Sequence, residues 1–208
     1  MIDRVTPSIR LLLADDQALV RGALAALLDL EPDLVVVAEV GRGDEVLAAA
    51  RQARPDVALL DVEMPGLDGI AATATLRAAL PSCKVLVVTT FGRPGYLRRA
   101  MAAGASGFVV KDTPARQLAD AVRRIAAGLR VVDPTLAAET LASGDSPLTP
   151  RETEVLLAAR DGGTVADIAA QLRLSEGTVR NHLSSVIGKT GARTRAEAVR
   201  LAADHGWL

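Results

Sequence analysis

Apolar runs alternate with helical patterns through about residue 130. Ile9–Ala14, Leu34–Val40, Val57–Leu60, Lys84–Thr89 and Phe108–Val110 are short apolar stretches that predict buried strands. The segments that follow predict helices over Ala18–Leu30, Gly43–Ala53, Gly69–Ala79, Pro94 to near Gly104, and Pro114–Ala127. In the first of these, Leu19, Ala23, Leu27 and Leu30 fall on one stripe. Pro65-Gly66 breaks the chain, and Gly128 stops the last helix. Five strands, each followed by a helix, predict an α/β fold: a doubly wound, five-stranded parallel sheet covered on both faces. Such sheets gather chemistry at the carboxyl ends of their strands.

The pattern then changes. A short helix near Pro134–Leu141 leads into Ser143-Gly144-Asp145-Ser146-Pro147, a small, polar linker closed by proline. Beyond it no strand signal remains. Pro150–Arg160, Val165–Leu172, Glu176–Lys189 and Arg195–Asp204 read as helices, predicting a small all-α domain. The expected organisation is a domain over 1–130, a linker with its short helix over 131–147, and a helical domain over 148–208.

Composition narrows the classes. Half of the 208 residues are apolar and only 2% are aromatic, so a core of Ala, Leu and Val is available. The formal charge of −1 gives no overall bias towards nucleic acid or membrane. The single cysteine, Cys83, precludes an intramolecular disulfide and fits a reducing cytoplasm. The first ten residues do not read as a signal peptide, and no apolar run is long enough to span a bilayer. A cytoplasmic protein without membrane contact is expected. Only three lysines occur, Lys84, Lys111 and Lys189, in a chain that otherwise uses arginine. A compact ammonium and a planar guanidinium are not equivalent in a tight site, which draws attention to those three.

Asp15 and Asp16 follow the first predicted strand, Asp61 ends the third, Thr89 the fourth, and Lys111 follows the fifth. A doubly wound sheet brings these positions to one edge. Packed carboxylates resist joint ionisation unless a cation compensates, and a hard ion such as Mg²⁺ does so through oxygen ligands. A strand-tip carboxylate can then attack phosphorus to give an acyl phosphate. Lys111 and the Thr89 hydroxyl can neutralise and bind the phosphoryl oxygens. Taken singly, each residue has an ordinary use: turn, cap, strand end or solvated charge. Five such residues at four strand ends point to the pocket instead.

These motifs (LLLADDQALVR, LLDVEMPGLDG, VLVVTTF and GFVVKD) resemble the response-regulator receiver family over roughly residues 8–130. The resemblance implies Asp61 as phosphoacceptor, with Thr89 and Lys111 assisting. It implies Mg²⁺ held directly by Asp16, Asp61 and the backbone carbonyl of Glu63, with Asp15 acting largely through water. It also implies Thr89 and Phe108 as a switch pair. TTFGRPGYLRRAM is similar to the subgroup that includes regulators of lipid desaturase genes.

LTPRETEVLLAARDGGTVADIAAQLRLSEGTVRNHLSSVIGKTGARTRAEAV resembles the helix-turn-helix of LuxR/NarL-type regulators. Thr149-Pro150-Arg151-Glu152 carries helix-start signals, Asp161-Gly162-Gly163 a stop, and Ser175 a cap. In the third helix Val179, Leu183, Val186 and Ile187 face inward, leaving Arg180, Asn181 and Ser184 for base edges in duplex DNA. Thr178, His182, Ser185 and Lys189 are better placed for phosphates. Residues 146–208 carry eight Arg/Lys and seven Asp/Glu, so non-specific affinity should be modest and two copies needed. Gly188 removes a side chain late in that helix. Candidate homodimer contacts are Ala198, Leu201 and Ala202 in the last helix, or Leu24, Leu28 and Val122 in the first and last helices of the sheet domain.

The combined expectation is a regulator, not an enzyme, that takes phosphoryl on Asp61 from a sensor histidine kinase and binds promoter DNA as a homodimer. Two alternatives are weighed against it: a receiver serving only as a dimerisation or ligand-sensing module, and a metal-dependent phosphatase.

Overall fold

The computed structural model describes residues 8–90, 94–142, 146–160 and 162–208. Three residues of the expected linker, Ser143 to Asp145, and Asp161 of the expected helix stop lie outside the described residues. The chain forms two compact units, the first carrying the sheet and the second the C-terminal helices.

In chain order the first unit contains β1 (Ile9–Ala14), α1 (Ala18–Asp29), β2 (Leu34–Val40), a 3₁₀ turn at Gly43–Glu45, and α2 (Val46–Ala53). Next come β3 (Val57–Leu60), α3 (Gly69–Ala79), β4 (Lys84–Thr89), α4 (Pro94–Ala102), β5 (Gly107–Val110), α5 (Ala115–Ala126) and β6 (Val131–Val132). All strand pairs are parallel, in the order β2-β1-β3-β4-β5-β6. The sheet therefore has six strands, not five. The extra one is two residues long and too short to leave a period-2 signature; its neighbours on the sheet, not its own pattern, make it a strand.

Every residue of β3 is buried, as expected for an inner strand covered on both faces. Leu11, Leu13, Leu59, Leu86, Val88 and Val109 pack with Leu28 of α1 and with Leu118, Val122 and Ile125 of α5. Alternate positions Leu12, Ala58, Leu60, Val85, Val87 and Phe108 are also buried, on the other side of the pleat. Cys83 is buried, and burial pushes its thiol up to about 11, so it is an inert core group.

The structure turns α1 the other way from a simple reading of its leucine stripe. Leu19, Ala23, Leu27 and Leu30 are exposed, whereas Ala25 and Leu28 are buried and Leu24 packs against the core. The helix carries two apolar faces, and periodicity alone does not say which one meets the sheet. Leu28 and Val122, at 1% and 0% exposure, are core residues and not free for a partner. Leu24 is already engaged by the same core.

Helix α6 (Pro134–Ala142) follows β6. The second unit is built from α7 (Pro150–Ala158), α8 (Val165–Leu172), α9 (Glu176–Thr190) and α10 (Arg195–His205). Capping boxes start α7 at Thr149 and α8 at Thr164, and the Ser175 hydroxyl caps α9. Val155, Ile168, Val179 and Leu183 form one apolar cluster; Leu148, Leu156, Val186, Ala198 and Ala202 form the other. Ala198 and Ala202, both 0% exposed, thus pack inside their own domain, and Leu201 lies against the same cluster. Among the described residues no helix is long and apolar enough to cross a membrane.

Candidate functional site

The parallel order sets β1 between β2 and β3, and β4 between β3 and β5, so their carboxyl ends share one edge. Asp15 leaves β1, Asp61 leaves β3, Thr89 ends β4 and Lys111 leaves β5. Main-chain bonds extend the sheet to the acids themselves: Asp61 N–H donates to the Ala14 carbonyl at 2.8 Å and Asp15 N–H to the Val40 carbonyl at 3.2 Å. Lys111 N–H donates to the Thr89 carbonyl at 2.7 Å. The site is therefore held by ladder geometry, which is stiffer than a loop.

The predicted constellation assembles. Carboxylate oxygens of Asp15, Asp16 and Asp61 lie within 4.8 Å of one another. Lys111 Nζ sits 2.7 Å from Asp15 Oδ2 and 2.9 Å from Asp61 Oδ2. Asp61 Oδ1 accepts the Val62 N–H at 2.7 Å, and Asp15 Oδ1 accepts the Gln17 N–H at 2.9 Å. Asp15, Asp61 and Thr89 are buried, whereas Asp16 and Glu63 are exposed. Phe108 is fully buried in β5. Burial is the largest influence on Asp61 and pushes its carboxyl above the usual carboxylate range, against the pull of Lys111. Burial also works against the Lys111 ammonium, but its hydrogen bonds to Asp15 and Asp61 outweigh that and raise it.

One ammonium does not balance three carboxylates. Oxygen-only donors with excess negative charge suit a hard divalent cation such as Mg²⁺, so the residues fit that ion. Gly69 is part of the same construction: a Cβ there would stand 1.8 Å from the Asp61 carbonyl oxygen, so the start of α3 reaches this close only without a side chain. Arg21, which motif reading passed over, donates through Nη1 to the Asp15 carbonyl at 2.5 Å and so pins the peptide joining the two leading acids.

In the helical unit, Val179, Leu183 and Val186 are buried and Ile187 half-buried, as expected. Arg180, Asn181 and Ser184 are exposed on the opposite face of α9. Arg180 is paired with Glu176 one turn back at 2.5 Å. Thr178 shares a 2.8 Å hydrogen bond with Ser175, and His182 is half-buried. Ser185 and Lys189 have an inward partner: Ser185 Oγ donates to Glu152 Oε1 at 2.6 Å and Lys189 Nζ to Glu152 Oε2 at 2.7 Å. The same carboxylate accepts the Thr149 N–H at 2.7 Å. These bonds, Lys189 first, hold the Glu152 carboxyl down to about 2. Sequence reading found Glu152 as a first-turn acid; its partners, 33 and 37 residues away, leave no local trace. At Gly188 a Cβ would meet nothing within 4 Å, so that position is open.

Comparison with known proteins agrees with both halves. Residues 11–123 match the response regulator receiver domain, and residues 146–202 match the bacterial regulatory proteins of the luxR family. The chain is 43% identical over 200 residues to the uncharacterized transcriptional regulatory protein YvfU of Bacillus subtilis (strain 168), covering 96% of this chain and 100% of that one. It is 40% identical to the transcriptional regulatory protein DesR of the same organism, covering 96% and 99%. The crystal structure of ChrA, a response regulator of a heme-sensing two-component system, is 34% identical, with a TM-score of 0.59 over 97% of this chain and 99% of that one.

Proposed function

The chain belongs to the two-component response regulators that join a receiver to a LuxR-type DNA-binding domain, and from that premise we propose which residues do the work. It is a transcriptional regulator, of a family of DNA-binding proteins and not enzymes. Asp61 is the phosphoacceptor. The observation that carries this is Asp61 at the centre of the pocket, bridged by Lys111 to Asp15 and within reach of Asp16.

In the transfer, an Asp61 carboxylate oxygen forms a bond to phosphorus while the phosphorus–nitrogen bond of the kinase's phosphohistidine breaks, and the histidine leaves. Lys111 turns its ammonium from Asp61 to the new phosphoryl oxygens, and the Thr89 hydroxyl hydrogen-bonds one of them. Asp16, Asp61 and the Glu63 carbonyl would hold Mg²⁺ directly, with Asp15 acting largely through water, and the ion would supply charge neutralisation of the acids and the incoming group. Thr89 and Phe108 form the switch. The functional divisions are 1–130, 131–147 and 148–208.

Arg180, Asn181 and Ser184 read bases in duplex promoter DNA, and Thr178 and His182 contact phosphates. Ser185 and Lys189 also belong to that phosphate-facing group, with Glu152 setting where they stand. The protein works in the cytoplasm as a homodimer when phosphorylated or on DNA. The exposed Leu19 and Leu27 of α1, with Leu30 just past its end, supply a contact that the receiver core does not use.

Incubation with acetyl phosphate and Mg²⁺ should add one phosphoryl group by intact mass, and raise affinity for a duplex selected from random sequence. Asp61→Asn should fold, gain no mass and lose the affinity increase. An unchanged increase in that variant sinks the assignment.

A further inference from the structure

The geometry points to Asp133 as a positioning residue that fastens the linker helix to the strand bearing the aromatic switch residue, a role that rests on the functional reading above. The sixth strand makes the first attachment. Val131 N–H donates to the Ser106 carbonyl at 3.1 Å and Asp133 N–H to the Phe108 carbonyl at 3.4 Å. Phe108 is aligned with Val132 on one side and with Val87 of β4 on the other. Strand β5 thus lies between the strand that ends in Thr89 and the segment that opens the linker.

Asp133 makes the second attachment. Its Oδ1 accepts the N–H groups of Thr135 at 2.8 Å and Leu136 at 3.1 Å. Its carbonyl accepts the Ala137 N–H at 2.9 Å. Helix starts leave N–H groups without internal partners, and a cap of this kind fixes where the helix begins. Pro134, the first residue of α6, has a locked φ and no N–H, so there is little slack between cap and helix. The surroundings hold both sides: Val131 packs against the receiver core, and Leu136 is buried.

One residue therefore hangs by its backbone from Phe108 and holds the first turn of α6 by its side chain and carbonyl. When β5 moves at Phe108, the origin of α6 moves with it. The chain continues from α6 in sequence to the DNA-binding helices.

The test uses the full chain, acetyl phosphate with Mg²⁺, and a fluorescent duplex selected by the phosphorylated wild type. The readout is the ratio of unphosphorylated to phosphorylated Kd. Asp133→Ala should take up phosphoryl as the wild type does, since Asp133 is outside the acid pocket, yet its ratio should fall at least threefold. Asp133→Asn, which keeps a capping oxygen, should recover most of the wild-type ratio. A merely structural loss would reduce phosphoryl uptake or melting temperature in step and would not be rescued selectively in the ratio. A wild-type ratio preserved in Asp133→Ala, or a loss in Asp133→Asn equal to that in Asp133→Ala, overturns the role of Asp133 alone. A ratio of one in the fully phosphorylated wild type overturns the functional reading and this inference with it.

Discussion

Each unit of this protein contains a lysine set against a buried carboxylate, and the two arrangements behave differently. In the sheet unit Lys111, 11% exposed, faces Asp15 and Asp61, each 5% exposed, with Asp16 beside them. In the helical unit Lys189, 35% exposed, faces among the described residues the single carboxylate of Glu152, which also accepts from Ser185 and Thr149. The first cluster has more acid than base, and burial raises Asp61. The second is satisfied, and its acid is held far down. Surplus negative charge in a fixed frame suits an added hard cation; a network whose charges match fixes how α7 meets α9 and where Ser185 and Lys189 stand on it. The charges are unmatched in the first ion-pair cluster and matched in the second, and that difference separates the two sites.

The comparison can be broken most forcefully at Glu152. Glu152→Gln should cost about 3 kcal/mol of stability, the low end for losing one partner of a buried pair, because Lys189 keeps access to water. Urea unfolding followed by the fluorescence of Trp207, the single tryptophan, reads this. The pH dependence fixes the cause. The Glu152 carboxyl lies at about 2 against an ordinary 4.5, so its contribution is complete above about pH 4.5 and is lost as pH falls through 2. The difference between wild type and Glu152→Gln should therefore close on acidification; a constant difference would mean the charge is irrelevant.

Metal addition sharpens the contrast from the other side. Mg²⁺ at one hundred times its Kd should stabilise the sheet unit by about 2.7 kcal/mol by linkage. Hydrogen exchange should slow in peptides from β1, β3 and β5 and stay unchanged in α9. Slowing of equal size in α9 would show that the ion does not distinguish the clusters. The smallest effect is expected at Gly188→Ala, which should stabilise the helical unit by up to about 1 kcal/mol, since the position is open and alanine favours the helix. A lower midpoint in that variant would place something against α9 at that point.

Much of this was legible beforehand. The five principal strands and the pocket acids follow from apolar runs that end in chemically active residues, because in a parallel sheet sequence order and strand end determine convergence. What escaped reading escaped for definite reasons. β6 is two residues long and exists through its pairing with Gly107 and Phe108 and the flanking bonds to the Ser106 and Phe108 carbonyls, not through any pattern of its own. Helix α1 is apolar on two sides, so its leucine spacing was consistent with either face inward. The bonds that Ser185 and Lys189 make to Glu152 left no local trace, because Glu152 is far away in sequence. Arg21 acts on a carbonyl, and main-chain acceptors carry no residue label.

The span of chain between the pocket's parts has a consequence for biosynthesis. Asp61 and Lys111 are 50 residues apart, and the ammonium arrives only on the far side of β5. During translation the acids are made well before the group that steadies them, and domains fold as units once enough chain has emerged. A half-made receiver therefore holds its carboxylates before it has the ammonium that bridges Asp15 and Asp61.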